Sequence, residues 1–405
     1  MSRGVITSAD VALQAGVSRS AVSRCFTPGA SVSSKTRGRV MEAAQALGYR
    51  PNAIARSLNK GRSRMIAVVL GYMDNPFYPA MLERLAERLH ARGYRLLLFT
   101  ARPDGSCDDL FSEILVYQVD GIILASILLT SALAQRCRAA RIPLVLVNRT
   151  TDDRDVSSVT ADNRIGARAV ADFLLAGGHK RFAYIAGLAS SSTNHDRESS
   201  FCKRLAEAGV GAPLREEGAY TREGAQDAAR RLLRRSRPPD AIFCANDHMA
   251  LAAMDVARFE LGLRTPEDVS IIGYDDVASA AWPSYGLTSV EQPVDAMAQG
   301  AVDALMSRIE GDERGGEQVR ISGELVVRTS ARRPASGIVS VGVVGALEAD
   351  VCAQNAIEAN AVDRVHQRLA LGGELRGIAG GAGLLKQLLD EEHGVIGLCV
   401  SVVGA

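Results

Sequence analysis

Between Met65 and Pro334, short apolar runs alternate with longer amphipathic stretches, and this alternation restricts the fold more than any other feature of the chain. The apolar runs predict strands over Ile66–Leu70, Arg95–Thr100, Gly121–Ala125, Leu144–Val147, Val159–Ala161, Phe182–Ala186, Ala241–Cys244, Ser270–Gly273 and Gly286–Ser289. Helical spacing marks Pro79–Arg92, Asp108–Tyr117, Ser131–Ala140, Asn163–Ala176, Asp196–Ala208, Arg222–Arg234, Asp247–Leu261 and Val294–Arg308. Strands apolar on both faces that alternate with helices imply parallel sheet covered on both sides. The segment is long for one such sheet. Two doubly wound lobes with a cleft between them is the economical solution, with lobe 1 about 65–161 plus 293–320 and lobe 2 about 162–290 plus 321–334.

Ligands of open α/β sheets sit beyond the carboxyl ends of the strands, so strand-end residues are the first candidates for a site. Asp74-Asn-Pro-Phe-Tyr78, Asn148-Arg149, Asp162-Asn163, Ala245-Asn246-Asp247 and Gly273-Tyr-Asp-Asp276 all stand there, and Arg197 and Tyr220 flank the opening helices of lobe 2. Polar groups with Phe77, Tyr78 and Tyr220 at hand for stacking suit a polar, ring-shaped ligand. A lone Asp or Asn is also a common helix cap, and Asn163 and Asp247 can each be read as only that. Gly187-Leu-Ala-Ser-Ser-Ser192 mimics a phosphate loop but lacks the Gly-Lys-Ser/Thr that would complete one. His179 and His195 have no partner at metal spacing and read as a turn residue and a surface residue. No nucleophile–base pair is recognisable, so neither an enzyme nor a cofactor is expected. The apolar runs fall short of the ~18–20 residues of a membrane span. Seven scattered cysteines without a C-x-x-C pair fit reduced thiols and a cytoplasmic setting.

Charge separates the N-terminus from this body. Residues 1–64 hold eleven Lys/Arg against Asp10 and Glu42, whereas the whole chain is nearly balanced at +1. A basic module on an acidic body points to nucleic acid contacted by one end. Thr7-Ser-Ala-Asp10 predicts a capping box opening a first helix, with Val11, Ala12 and Ala15 inward and Gly16 as its stop. Ser18 caps a second helix, Arg19–Phe26, whose Val22 and Phe26 pack inward and whose outer face offers Arg19, Ser20, Ser23 and Arg24. A third helix over Lys35–Leu47 buries Val40, Ala43, Ala44 and Leu47, with Gly38 as a weak point and Arg37 and Arg39 shared between solvent and phosphate. Two short helices across a Gly turn, braced by a third, predict a helix-turn-helix head over 1–50 that lays its second helix in a major groove. Pro51 then opens two helical turns before Gly61, too short to persist unaided.

Thr7-x-x-Asp-Val-Ala-x-x-Ala-Gly-Val-Ser-x-x-Ala-Val-Ser-Arg24, then Val-Ser-x-x-Thr-Arg37, then Leu-Gly-Tyr-x-Pro-Asn-x-x-Ala-Arg-x-Leu58, resembles the head and hinge of the lactose/purine repressor family. The resemblance implies that Arg19 and Ser20 choose the operator sequence and that Ser18, Ser23 and Arg24 add contacts. It also implies that Thr7, Ser33, Thr36 and Asn52 position phosphates. Ala55 and Leu58 would lie on a hinge helix, over 51–64, that wedges into the minor groove. Thr27-Pro28-Gly29 departs from the family loop after the second helix.

The resemblance continues to about Pro334 and implies a body similar to periplasmic sugar-binding proteins. In it Phe77 and Tyr78 would border the ligand, Asn148, Arg197, Asn246 and Asp275 would hydrogen-bond it, and Tyr220 would stack on it. Glu-Ser-Ser-Phe201 after Arg197 lacks the family's usual Gly. The function implied is a homodimeric transcription regulator, most often a repressor in such families, on near-palindromic duplex DNA. Tetramers occur in some relatives, and the effector would be sugar-like or nucleoside-like. A transport-type solute-binding protein would share the lobes but not the basic head. Residues 335–405 fall outside the resemblance; 336–405 are glycine-rich, with four basic and eight acidic groups.

Overall fold

The computed structural model describes residues 6–27, 29–50, 62–71, 73–101, 108–127, 129–312, 314–335, 340–343 and 398–401. Asn52, Ala55 and Leu58 lie outside the described residues, as does nearly all of the C-terminal extension.

In the head, α1 (Ser8–Ala15), α2 (Arg19–Cys25) and α3 (Ser34–Leu47) begin where their caps stand. The Thr7 N–H donates to the Asp10 carboxylate at 2.8 Å, and the Ala9 N–H reaches Thr7 Oγ1 at 3.3 Å. The Thr7 N–H, together with the Thr7 hydroxyl donating at 2.8 Å, holds the Asp10 carboxyl below its ordinary range. Gly16 closes α1 at φ 60°, a left-handed geometry that suits glycine. Val11, Ala12, Ala15, Val22, Cys25, Val40, Ala43 and Ala44 form one small core. Cys25 takes the central position on α2, while Phe26 sits half-buried, edge-on to Tyr49 at 5.8 Å. Arg37 differs from the expectation of a shared solvent and phosphate role. Its guanidinium donates to the carbonyls of Cys25 at 2.7 Å and Ala30 at 3.4 Å. It thereby satisfies an orphan carbonyl at the end of α2 and ties that helix to α3.

The body holds two six-stranded sheets of one topology. The first is built from β1 (Met65–Leu70), β2 (Arg95–Thr100), β3 (Gly121–Ala125), β4 (Leu144–Val147), β5 (Ser157–Ala161) and β11 (Gln318–Ile321), in the spatial order β2-β1-β3-β4-β5-β11 and wholly parallel. The second uses β6 (Phe182–Ala186), β7 (Leu214–Glu217), β8 (Ala241–Cys244), β9 (Ser270–Asp275), β10 (Thr288–Glu291) and β12 (Leu325–Val326), in the order β7-β6-β8-β9-β10-β12. Only its β10–β12 pair is antiparallel. Helices α4 (Phe77–Ala91), α5 (Asp108–Val116) and α6 (Ser131–Ala139) serve the first lobe, and α7 (Asn163–Ala176), α8 (Ser192–Glu207), α9 (Arg222–Leu233) and α10 (Asp247–Asp255) the second. The chain returns to the first lobe through α11 (Val294–Ile309), so three strands of chain join the lobes, after β5, β10 and β11. Among the described residues no helix is long and apolar enough to cross a membrane.

The deviations from expectation have local causes. β7, β11 and β12 are edge strands that are only half-buried; β7 and β11 carry no continuous apolar run, and β12 is only two residues long. β10 starts at Thr288 because Gly286 turns the chain at φ 54°. Helix α8 begins four residues earlier than its apolar stripe suggests, since Ser191 caps it by accepting the Asn194 N–H at 3.3 Å. Helix α10 runs on as a π-turn over Val256–Glu260. In the extension, Ser340–Val343 pairs antiparallel with Leu398–Ser401.

Gly38 is exposed in α3, and a Cβ there meets nothing within 4 Å. Gly38→Ala should therefore stabilise the head by ~1 kcal/mol. Arg37→Ala should lower the head's unfolding midpoint by freeing the end of α2. Thermal unfolding of both variants, followed by circular dichroism, checks the pair.

Candidate functional site

Two surfaces carry chemistry. On the head, Arg19, Ser20, Ser23 and Arg24 are exposed, and their spacing places them on one side of α2, opposite buried Val22 and Cys25. Ser18 Oγ accepts from the Ala21 N–H at 3.2 Å and lies 2.9 Å from Ser20 Oγ. Ser33 caps α3, accepting the Thr36 N–H at 3.2 Å and donating to Thr36 Oγ1 at 2.9 Å. Thr7, Ser18 and Ser33 thus work first as caps.

The second surface is the crevice where the carboxyl ends of both sheets face each other. Of the residues expected there, Tyr78, Asn148, Arg197, Tyr220, Asn246 and Asp275 come together around about 290 Å³, open mouth included. Phe77 does not line it. Its ring lies in the apolar core, edge-on to Tyr78 with centroids 5.0 Å apart, because it starts α4 on the helix's buried face. Asn75, Arg149 and Thr193 complete the lining. The strand-end rule reached Asn75 and Arg149 as positions without singling them out; Thr193 was hidden in a polar run.

Arg197 organises the crevice from inside α8. It is 2% exposed, and its Nε donates to Asn163 Oδ1 at 2.7 Å while Nη1 donates to the Ala245 carbonyl. The guanidinium lies 3.6 Å from the centroid of the Tyr274 ring and 3.8 Å from Asp275 Oδ1. Asn163 is therefore an orienting residue rather than a cap; the cap of α7 is Asp162. Asp275 accepts from Gln292 Nε2 at 2.6 Å and, across the lobes, from Asn75 Nδ2 at 3.3 Å. Asn148 Nδ2 donates to the Tyr78 hydroxyl at 3.1 Å, and that hydroxyl touches Ser126 Oγ. Asn246 spends its Oδ1 on capping α10, which leaves its amide nitrogen for other partners. Arg197 Nη2 and Asn148 Oδ1, a donor and an acceptor, are buried and find no hydrogen-bond partner among the described residues. Such groups cost ~1–3 kcal/mol each until a polar ligand meets them.

Backbone geometry is unusual here. Asn148, Tyr220 and Asp275 adopt φ of 58°, 61° and 130°, which side-chain-bearing residues rarely do. Gly187, in the stretch that mimics a phosphate loop, makes room for the Tyr220 ring, since a Cβ there would stand 2.2 Å from it. Asp247, also expected as a cap, is instead fully buried, accepting from Ser289 Oγ at 2.5 Å and the Val277 N–H at 2.9 Å. Gly273 permits this, because a Cβ would meet Asp247 Oδ1 at 2.0 Å. Burial raises both the Asp247 and Asp275 carboxyls, and mutual repulsion raises Asp247 further. His179 is buried in the turn before β6, 3.6 Å from Asp240, and His195 is exposed on α8.

Comparison with known proteins fits this geometry. The family model described as bacterial regulatory proteins, lacI family, matches residues 7–52, and a periplasmic binding protein-like domain matches 171–331. The chain is similar to the HTH-type transcriptional regulator MalR of Streptomyces coelicolor, at 33% identity over 80% of this chain and 95% of the relative. The HTH-type transcriptional repressor CytR of Escherichia coli is 30% identical over 80% and 96%. Among solved structures, the lac repressor dimer bound to operator and the anti-inducer ONPF superposes with a TM-score of 0.73, at 28% identity over 81% and 99%.

The raised carboxyls give a pH prediction. A carboxyl whose folded pKa lies above its unfolded value contributes stability that is complete below the unfolded value near 3.8 and lost as pH rises through the folded value. Asp247→Asn should remove that loss. Its urea midpoint relative to the parent should rise progressively from pH 5 to pH 8.

Proposed function

Because the chain belongs to the lacI family of bacterial regulatory proteins, we propose that it is a homodimeric repressor whose grip on a near-palindromic operator is set by a small polar ligand between its lobes. The observation that carries this is the presence, in one chain, of an outward basic face on α2 and a crevice with a buried unpartnered donor and acceptor. Each subunit lays α2 in a major groove. There Arg19 and Ser20 read base edges, with Ser23 and Arg24 beside them, while Thr7, Ser18, Ser33 and Thr36 face phosphates. Asn52 meets a phosphate, and Ala55 and Leu58 meet the minor groove. The protein works in the cytoplasm.

The ligand is sugar-like or nucleoside-like, held by Arg197, Asp275, Asn148 and Asn246 and packed against Tyr78 and Tyr220. Relatives include one solved as a CelR–cellobiose complex, at 32% identity and a TM-score of 0.62. Occupancy reaches the DNA through α11. At one end of it Gln292 holds Asp275; at the other the Ile309 carbonyl accepts from Arg62 at 3.0 Å, where the chain leaves the hinge. Asp120 fixes that same point, accepting the Ser63 and Arg64 N–H groups at 2.7 and 3.0 Å. A ligand that competes with Gln292 for Asp275 shifts α11 and with it the hinge start, and the coupling is reciprocal.

Duplex binding measured by fluorescence anisotropy tests the reading. Arg19→Ala should lose ~1–3 kcal/mol of discrimination at one operator position and keep most of its salt dependence. Gln292→Ala should hold operator DNA yet respond less to any metabolite that modulates the parent. Binding that shows no sequence preference at any salt concentration would refute the assignment.

A further inference from the structure

Beside the crevice lies a larger groove of about 920 Å³, open mouth included, walled by Thr150–Asp152 of the first lobe, Ser190–Ser192 ahead of and at the start of α8, and Gln318 and Arg320 of β11. Residues adjacent in sequence line the two spaces. Arg149 and Thr193 line the crevice, while their neighbours Thr150 and Ser192 line the groove. Arg149 Nη1 crosses between the lobes to Thr193 Oγ1 at 3.1 Å, and the Thr150 N–H to Ser192 Oγ at 3.0 Å. A relay of hydroxyls follows the wall, from Tyr220 to Ser191 at 3.2 Å and from Ser191 to Thr193 at 3.0 Å. Hydroxyls of an incoming ligand can replace both cross-lobe bonds without leaving a polar group unpaired.

The groove's chemistry is polar and balanced in charge. Arg164 is already paired with Asp196 at 2.9 Å. Asp152 and Arg320 carry opposite charges and are exposed, and their side chains make no ion pair or hydrogen bond with a described residue. The imidazole of His195 is the one aromatic ring among the residues lining the groove. We propose that this groove is an extension subsite for a neutral oligosaccharide, with one sugar ring in the crevice and the following rings on Ser190–Ser192 and between Asp152 and Arg320. The inference rests on the crevice being the effector site. Vicinal hydroxyls each donate and accept, so a carboxylate takes two hydrogens from such a pair and a guanidinium gives two. A phosphorylated sugar would bring negative charge to a groove with no net positive charge to meet it. A nucleoside carries a single hydroxyl-bearing ring and has no second one to place along Ser190–Ser192 and between Asp152 and Arg320.

The test is calorimetric titration of the full chain with mono- to tetrasaccharides of glucose, galactose, mannose and xylose, beside adenosine and cytidine. At least one tri- or tetrasaccharide should bind ten-fold or more tightly than its own monosaccharide. Arg320→Ala should erase that gain and leave the monosaccharide affinity unchanged. Ser190→Trp, which blocks the groove but not the crevice, should do the same. Equal affinity at every chain length, or an Arg320→Ala loss that is the same for short and long sugars, overturns the extension subsite. Binding of a nucleoside alone overturns it too, yet leaves the effector-site reading standing. No binding by any compound, with operator affinity unmoved, removes both.

Discussion

A buried guanidinium sets the terms for the rest of the body. Taking the Arg197 charge out of water costs several kcal/mol unless the surroundings repay it. Repayment comes from four directions: Asn163 at the start of α7, the Ala245 carbonyl at the end of β8, the Tyr274 ring, and Asp275 at the end of β9. These partners are supplied by three separate strand–helix junctions, so the lobe must close around the arginine as a unit. The compensation is also incomplete, since Nη2 stays unpartnered. A ligand able to accept a hydrogen bond would satisfy that residual donor.

The same cluster ties ligand chemistry to mechanics. Asp275 is shared by Arg197, Asn75 of the opposite lobe and Gln292 of a connecting segment. Any molecule that claims this carboxylate therefore acts on lobe closure and on α11 together. Helix α11 spans sixteen residues, ~24 Å, and its far end meets Arg62. Arg88–Asp295 and Arg92–Asp303 pairs, both at 2.6 Å, lie between α4 and α11. Being exposed, they add little stability; they do hold α11 in register with the helix that begins at Phe77 and Tyr78.

Most of the secondary structure was legible because it is written in burial. β2, β3, β4, β6 and β8 fall where the apolar runs are. What escaped were the half-buried edge strands β7 and β11, which have no apolar run, the two-residue strand β12, and the first turn of α8 inside a serine run. In the site, the strand-end rule located Asn148, Asn246 and Asp275, Arg197 and Tyr220 were marked beside the opening helices of lobe 2, and family resemblance assigned the roles. It failed for Phe77, because a residue at a helix start turns inward or outward by one position's difference in angle. It also failed for Arg37, where arginine on a basic head suggests phosphate but the nearest unpaired groups are the head's own carbonyls.

Periodicity and capping residues alone determined that a basic three-helix head precedes two parallel-sheet lobes, since local propensity and burial both act over a few residues. Which side chains share a cavity was decided only by the tertiary fold. Asn75 and Asp275, or Arg149 and Thr193, meet because two sheets separated in sequence present their carboxyl ends to one another. Hydrogen bonds between such distant positions leave no periodic trace in the chain, and glycines such as Gly187 and Gly273 acquire their meaning only from the atom that would otherwise be struck.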